Sequence, residues 1–169
     1  NLKGEMMSNE KSKNRNLFDE LIRMRDEQRE RFKTAIKVVK GDELPLEKNA
    51  NGYYRWYLHP SLKDRGLNTL MLWVQEIPPG GCSGKERHQG GRLHLVVEGR
   101  GYTVVDGVKH DWERWDYIHL PLKPEGVIFQ HFNSDPNKPA KLVVAEPNLV
   151  DALGVDLGIV FEQLEPAPD

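Results

Sequence analysis

What this chain lacks sets its first limits. It has a single cysteine, Cys82, so no disulfide can close within it, and the expected setting is a reducing, cytoplasmic compartment. It has no surplus of either charge sign: charged residues make up 30% and the formal net charge is −2, which gives no broad field for nucleic acid or an anionic membrane. No apolar run approaches the length that spans a bilayer, and no signal-peptide core opens the sequence. No repeat of solenoid period is present. At 169 residues the chain has room for one hydrophobic core and is too short for two ordinary domains.

What is present divides into three stretches. Residues 1–15 are polar and lysine-rich and read as a disordered tail, and the NLKGE before Met6 and Met7 reads equally as native or as an upstream remnant. From Asn16 to about Lys37, within a helical segment placed at 16–40, Leu17, Phe18, Leu21, Ile22, Met24, Phe32, Ala35 and Ile36 recur at helical spacing. The all-polar run Arg25 to Arg31 then forms a solvated face, which predicts an amphipathic helix with a narrow buried stripe. The barrel stretch, 41–169, reads as β almost to Pro147, and its extension Val150–Leu164, broken by Gly154 and Gly158, reads as a short helix or turn followed by an extended return. Strands are expected at Tyr53–Leu58, Thr69–Ile77, Arg92–Glu98, Gly101–Asp106, Trp112–Leu120, Gly126–Phe132 and Lys141–Ala145, separated by Pro-Pro-Gly-Gly, Glu-Gly, Asp-Gly and Pro-Glu-Gly turns. That spacing predicts a sandwich or barrel rather than alternating βα units.

The chemistry concentrates in Gly80–Gly107 and in VIFQHFN, residues 127–133. His88 and His131 fall on separate strand-like runs, and imidazoles brought together across a small barrel suit zinc, copper, iron or nickel. Strand parity puts Arg92, His94 and Val96 on one face, and Phe129 and His131 on one face. His94 is then a metal ligand, a substrate contact or a packed core histidine. Arg92 is either a clamp for a substrate carboxylate or the partner of an acid such as Glu86. Gln130 points to the opposite face from His131. Trp56, Trp73, Trp112 and Trp115 read as core, rim or subunit-contact residues rather than a ligand cage.

From about Thr69 to Asn148 the order of these residues resembles the cupins, single-domain double-stranded β-helix (jelly-roll) proteins, and in particular the gentisate-dioxygenase-like cupins. The first cupin motif runs glycine, five variable residues, histidine, one residue, histidine, then a glutamate and a closing glycine. Counted back from Glu98-Gly99, its two histidines fall at Glu86 and His88, and its glutamate falls at Arg92. Leu120 to Asn133 resembles the second motif, whose histidine corresponds to His131 or, by the commoner spacing, to Phe129.

The resemblance implies an all-β cupin barrel with an N-terminal helix and a divalent transition metal held by Glu86, His88 and His131. Fe(II) is favoured, with Zn, Mn or Ni as alternatives. His94 and Arg92 would be the catalytic residues, and the implied activity is that of a non-haem iron oxygenase on a small aromatic or oxo-acid substrate. A metal-dependent isomerase, lyase or hydrolase and a non-enzymatic small-molecule-binding cupin are the alternatives. The expected partners are a small anionic or aromatic substrate, with a cavity wall from Val96, Phe129 and Trp73. A second copy of the chain is also expected, because long edge strands need cover.

Overall fold

The computed structural model describes residues 15–150 and 161–168. The expected tail at 1–15 therefore lies outside the described residues except for Arg15. Helix α1 spans Leu17–Thr34 and is capped by Asn16, whose side chain accepts from the Asp19 backbone N–H. It stops before the expected Lys37 because Ala35 turns to ψ 146 and becomes buried, while Ile36 pairs with the loop at Arg65. The periodicity is that of an amphipathic helix, but the buried stripe is not found. No α1 residue is buried, and Leu17, Phe18, Leu21 and Met24 are 61–68% exposed, because the helix has almost nothing to pack against among the described residues. None of the described helices is long and apolar enough to cross a membrane.

After a short 3-10 turn at Gly41–Glu43, eleven strands follow among the described residues. In order they are β1 (Glu47–Asn49), β2 (Gly52–Leu58), β3 (Leu70–Ile77), β4 (Lys85–His88), β5 (Leu93–Glu98) and β6 (Arg100–Val105), then β7 (Val108–Glu113), β8 (Tyr117–His119), β9 (Val127–Asn133), β10 (Ala140–Pro147) and β11 (Phe161–Glu165). They form two antiparallel sheets, one ordered β1-β2-β3-β10-β5-β8 and the other β11-β4-β9-β6-β7. Non-consecutive neighbours, with β10 between β3 and β5 and β9 between β4 and β6, give the interleaved connections of a jelly roll.

The inner faces follow strict alternation. Ala140, Leu142 and Val144 of β10, Trp73 and Ile77 of β3, Val96 of β5 and Trp112 of β7 make the main core. Leu120, Val127 and Phe129 make a smaller cluster beside it. The expected Trp112–Leu120 strand is two strands in different sheets. Trp115, at φ 80, turns the chain between β7, which pairs with β6, and β8, which pairs with β5. Gly99 has an equally local reason: at φ +89, a Cβ there would stand 2.9 Å from the Ala140 Cα, so only glycine lets the β5–β6 turn close over β10.

Candidate functional site: a buried ion-pair network beneath an aromatic cavity

Strand β4, KERH, shows no hydrophobic alternation, yet it is as two-faced as any strand here. Lys85 and Arg87 point outward and donate to Glu165 and Glu162 of β11, while Glu86 and His88 point inward and are buried. Opposite them Arg92 leads into β5, and Glu146 ends the inward row Leu142, Val144, Glu146 of β10. These four side chains form one chain of contacts. Arg92 donates from Nη1 to Glu86 Oε2 at 2.7 Å and from Nε to Glu146 Oε2 at 2.7 Å. His88 Nε2 lies 3.1 Å from the same Glu146 oxygen.

The tautomer of His88 follows from its other nitrogen. The Gly90 backbone N–H donates to Nδ1 at 2.9 Å, so Nδ1 carries a lone pair and Nε2 carries the proton it gives to Glu146. Gly90 can present that N–H because it sits at φ +96, where a Cβ would meet the Pro121 carbonyl oxygen at 2.5 Å.

Burial works against the charge of Arg92, but Glu86 and then Glu146 more than offset it and hold its pKa above the ordinary value. Burial likewise works against ionised Glu146, yet the His88 hydrogen bond and the Arg92 charge keep its pKa below the usual carboxylate range. The guanidinium also lies over two rings, 5.3 Å from the Trp73 centroid and 5.9 Å from that of Phe129.

Above this floor opens a cavity of about 460 Å³. Its apolar wall is Tyr54, Trp56, Trp73 and Met71, and Glu86, Arg92 and Glu146 face it from below. Tyr54 stacks on Trp73 at 5.5 Å, and Trp56 tilts against Trp73 at 4.9 Å. Burial, reinforced by the charge of Glu86, raises the Tyr54 pKa and keeps the phenol protonated.

A second polar group lies deeper, on β5, β6 and β9. His94 and His131 are both buried, their rings edge to face at 4.5 Å. Trp112 Nε1 donates to Thr103 Oγ1 at 3.0 Å, and Thr103 in turn meets His131 Nδ1 at 2.7 Å. His131 Nε2 and His94 Nδ1 have no hydrogen-bond partner among the described residues. Burial first, then the Arg92 charge, lowers the His131 pKa to about 3. Burial first, then His131, Arg92 and His88, put that of His94 well below its ordinary value, so both rings are neutral.

Of the residues expected as a metal set, Glu86 and His88 are tied up in the Arg92–Glu146 network, and His131 lies apart from them in the deeper group with His94 and Thr103. Glu86 is held by Arg92, both nitrogens of His88 are engaged, and a guanidinium stands among them where a divalent cation would need the space and the negative charge. Among the described residues no group of three or more His, Cys, Asp or Glu side chains is placed to hold a metal ion. The donor set does not fit the divalent metal that the resemblance implied.

Of the two readings of Arg92, the structure shows the ion pair, with Glu146 as a second and unexpected partner. Of the expected cavity wall, Trp73 is in place, whereas Val96 and Phe129 belong to the packed core. His94 does not line the cavity either. The expected shared face of Arg92, His94 and Val96 is present, as is that of Phe129 and His131. Gln130 points away, donating to the Ser83 carbonyl.

No family model and no curated protein matches the sequence. Solved structures do match. A cupin 2 conserved barrel domain protein from Salinispora arenicola is 19% identical with TM-score 0.53, over 66% of this chain and 87% of that one. The polyketide cyclase RemF from Streptomyces resistomycificus is 17% identical with TM-score 0.55, over 66% and 79%. A variant of salicylate 1,2-dioxygenase from Pseudoaminobacter salicylatoxidans, solved in complex with gentisate, is 18% identical with TM-score 0.52, over 64% of this chain and 29% of that one. At such identities the likeness concerns the fold, and this chain has the cupin fold.

Proposed function

We propose that this protein is a small-molecule-binding cupin whose ligand sits between Tyr54, Trp56 and Trp73, above the Arg92–Glu86–Glu146 network. One observation carries the reading. The part of the barrel that the sequence assigns to a metal is filled by an arginine already satisfied by two carboxylates, while an aromatic-walled cavity of ligand size opens next to it. The cavity volume falls within the range of small-molecule sites, about 300–1,000 Å³. A cytoplasmic setting is part of the proposal and rests on the single Cys82.

A metal-dependent oxygenase acting on a small aromatic or oxo-acid substrate is the second reading. The unpartnered His94 Nδ1 and His131 Nε2 favour it, since they leave two ring nitrogens uncommitted inside the barrel. An isomerase, lyase or hydrolase would draw on the same two nitrogens.

Anaerobic loading with Fe(II), Zn, Mn or Ni, removal of the excess and elemental analysis separate the readings. We expect no stoichiometric retention of any of the four metals. One metal per chain, lost in His131→Ala together with oxygen uptake on catechols or gentisate, would replace the binding-module reading by the oxygenase.

A further inference from the structure

We infer that the cavity selects small organic cations, a primary or quaternary ammonium carried on a compact apolar body, and excludes carboxylates. The inference rests on the small-molecule-binding reading and supplies its ligand class. It begins with the charges that line the space. Among the described residues these are the carboxylates of Glu47, Glu86 and Glu146 against the single guanidinium of Arg92.

Among the described residues the other basic side chain lining the cavity is His59, whose Nδ1 accepts from the Ser61 backbone N–H and so carries a lone pair rather than a proton. His88, the nearest further candidate, is the neutral Nε2–H tautomer, fixed by the Gly90 N–H on its Nδ1. His94 and His131 are held neutral by burial. The two glutamates at the floor are therefore joined by one cation, and the buried network keeps a net negative charge. Such a charge in a water-poor setting is costly until an opposite charge meets it.

The geometry of the pairs leaves room for that charge. Every described hydrogen bond to Glu86 and Glu146 lands on the Oε2 atom, from Arg92 in the first case and from Arg92 and His88 in the second. Both residues line the cavity, and neither Oε1 is engaged by a described hydrogen bond. An ammonium entering from the open side would find carboxylate oxygens below it and the faces of Trp56, Trp73 and Tyr54 around it. Aromatic faces attract cations, and the Trp73 ring already has one, the Arg92 guanidinium, at 5.3 Å. An entering carboxylate would meet like charges, and the one guanidinium among the described lining residues is already committed to both glutamates.

The test uses the full chain and three probes that share one body: phenethylamine, phenethyl alcohol and phenylacetate. Affinities are read by calorimetry and by quenching of Trp56 and Trp73 fluorescence. We expect the amine to bind at least about tenfold more tightly than the alcohol, and phenylacetate to show no saturable binding. Glu86→Gln should remove most of the preference for the amine while leaving the alcohol nearly unchanged.

The wild-type ratio of amine to alcohol needs no variant, so the inference stands or falls even if Glu86→Gln does not fold. Phenylacetate binding as tightly as the amine, or alcohol and amine binding alike, would overturn the cation preference while leaving a ligand site in place. No binding of any probe and no change in tryptophan emission would overturn both the preference and the site.

Discussion

Two layers of polar side chains lie in the interior of this barrel, and they obey different rules. The upper layer, Glu86, His88, Arg92 and Glu146, is charged and tightly joined by pairs of 2.7–3.1 Å. The lower layer, His94, His131 and Thr103, is neutral and leaves two ring nitrogens unmatched. A buried ion without a partner is costly, so each charge of the upper layer is paired within it, even though two carboxylates share one guanidinium. A neutral imidazole missing one hydrogen bond costs about 1–3 kcal/mol, which a fold can carry. The charged layer is therefore expected to be fragile as a set, and the neutral layer tolerant of replacement.

The largest effect should come from breaking the set. Arg92→Ala leaves two buried carboxylates facing each other and should cost about 3–5 kcal/mol in urea denaturation. Converting the whole set, Arg92→Met with Glu86→Gln and Glu146→Gln, should recover a substantial part of that loss. If Arg92→Ala behaved like a surface substitution, the layer would not be the mutually paired network described.

Acid should come next. His131 titrates near its ordinary value when unfolded but at about 3 in the fold, and His94 is shifted the same way. Between those values the unfolded chain binds more protons, so stability rises with pH from about 3 to 6.5 and levels off above it. Each group contributes up to about 1.4 kcal/mol per pH unit in that window. Glu146, lowered from the carboxylate range, adds a loss in the same direction at the acid end. Urea midpoints measured from pH 4 to 8 show whether the slope is present.

His94→Leu should change stability at pH 7 by less than about 1.5 kcal/mol in either direction and flatten the acid slope. A large loss would mean that the neutral layer is as closed as the charged one.

The smallest effect concerns α1. Removing residues 1–34 should leave the barrel's melting temperature nearly unchanged, because none of the helix's side chains is buried. The same truncation tests the expected homodimer. Light scattering should show a dimer for the full chain and a monomer without the helix, and a monomer in both cases would remove the dimer.

These contrasts also explain what the sequence could reveal. A sandwich or barrel was legible because most strands carry alternating apolar residues between glycine and proline turns, and the resemblance of the two motifs narrowed it to the cupin fold; the shared faces of residues 92, 94 and 96 and of 129 and 131 followed from parity alone. Strand β4 was not legible, since its inward positions are Glu86 and His88 and a hydrophobic pattern cannot register polar side chains that face inward. Glu146 left a signal that went unread: it takes the inward place after Leu142 and Val144, where an apolar residue is due. Tyr54 and Trp56 were visible as aromatic strand residues, but nothing in YYRWYL tells a cavity wall from a filled core. The exposed face of α1 shows the converse, a periodicity that specifies a helix without specifying what covers it.

Strand β11 has a consequence for how the site breathes. Among the described strands it lies at the edge of its sheet with β4 as its one neighbour, opposite Glu86 and His88, and its Gln163 lines the cavity. An edge strand held on one side detaches at lower free energy than the core around it. Deuterium should therefore enter the β4 amides that face β11 well before those of β9 or β10. Protection of those few amides on adding a ligand would time the opening of the cavity directly, through the last strand of the described chain.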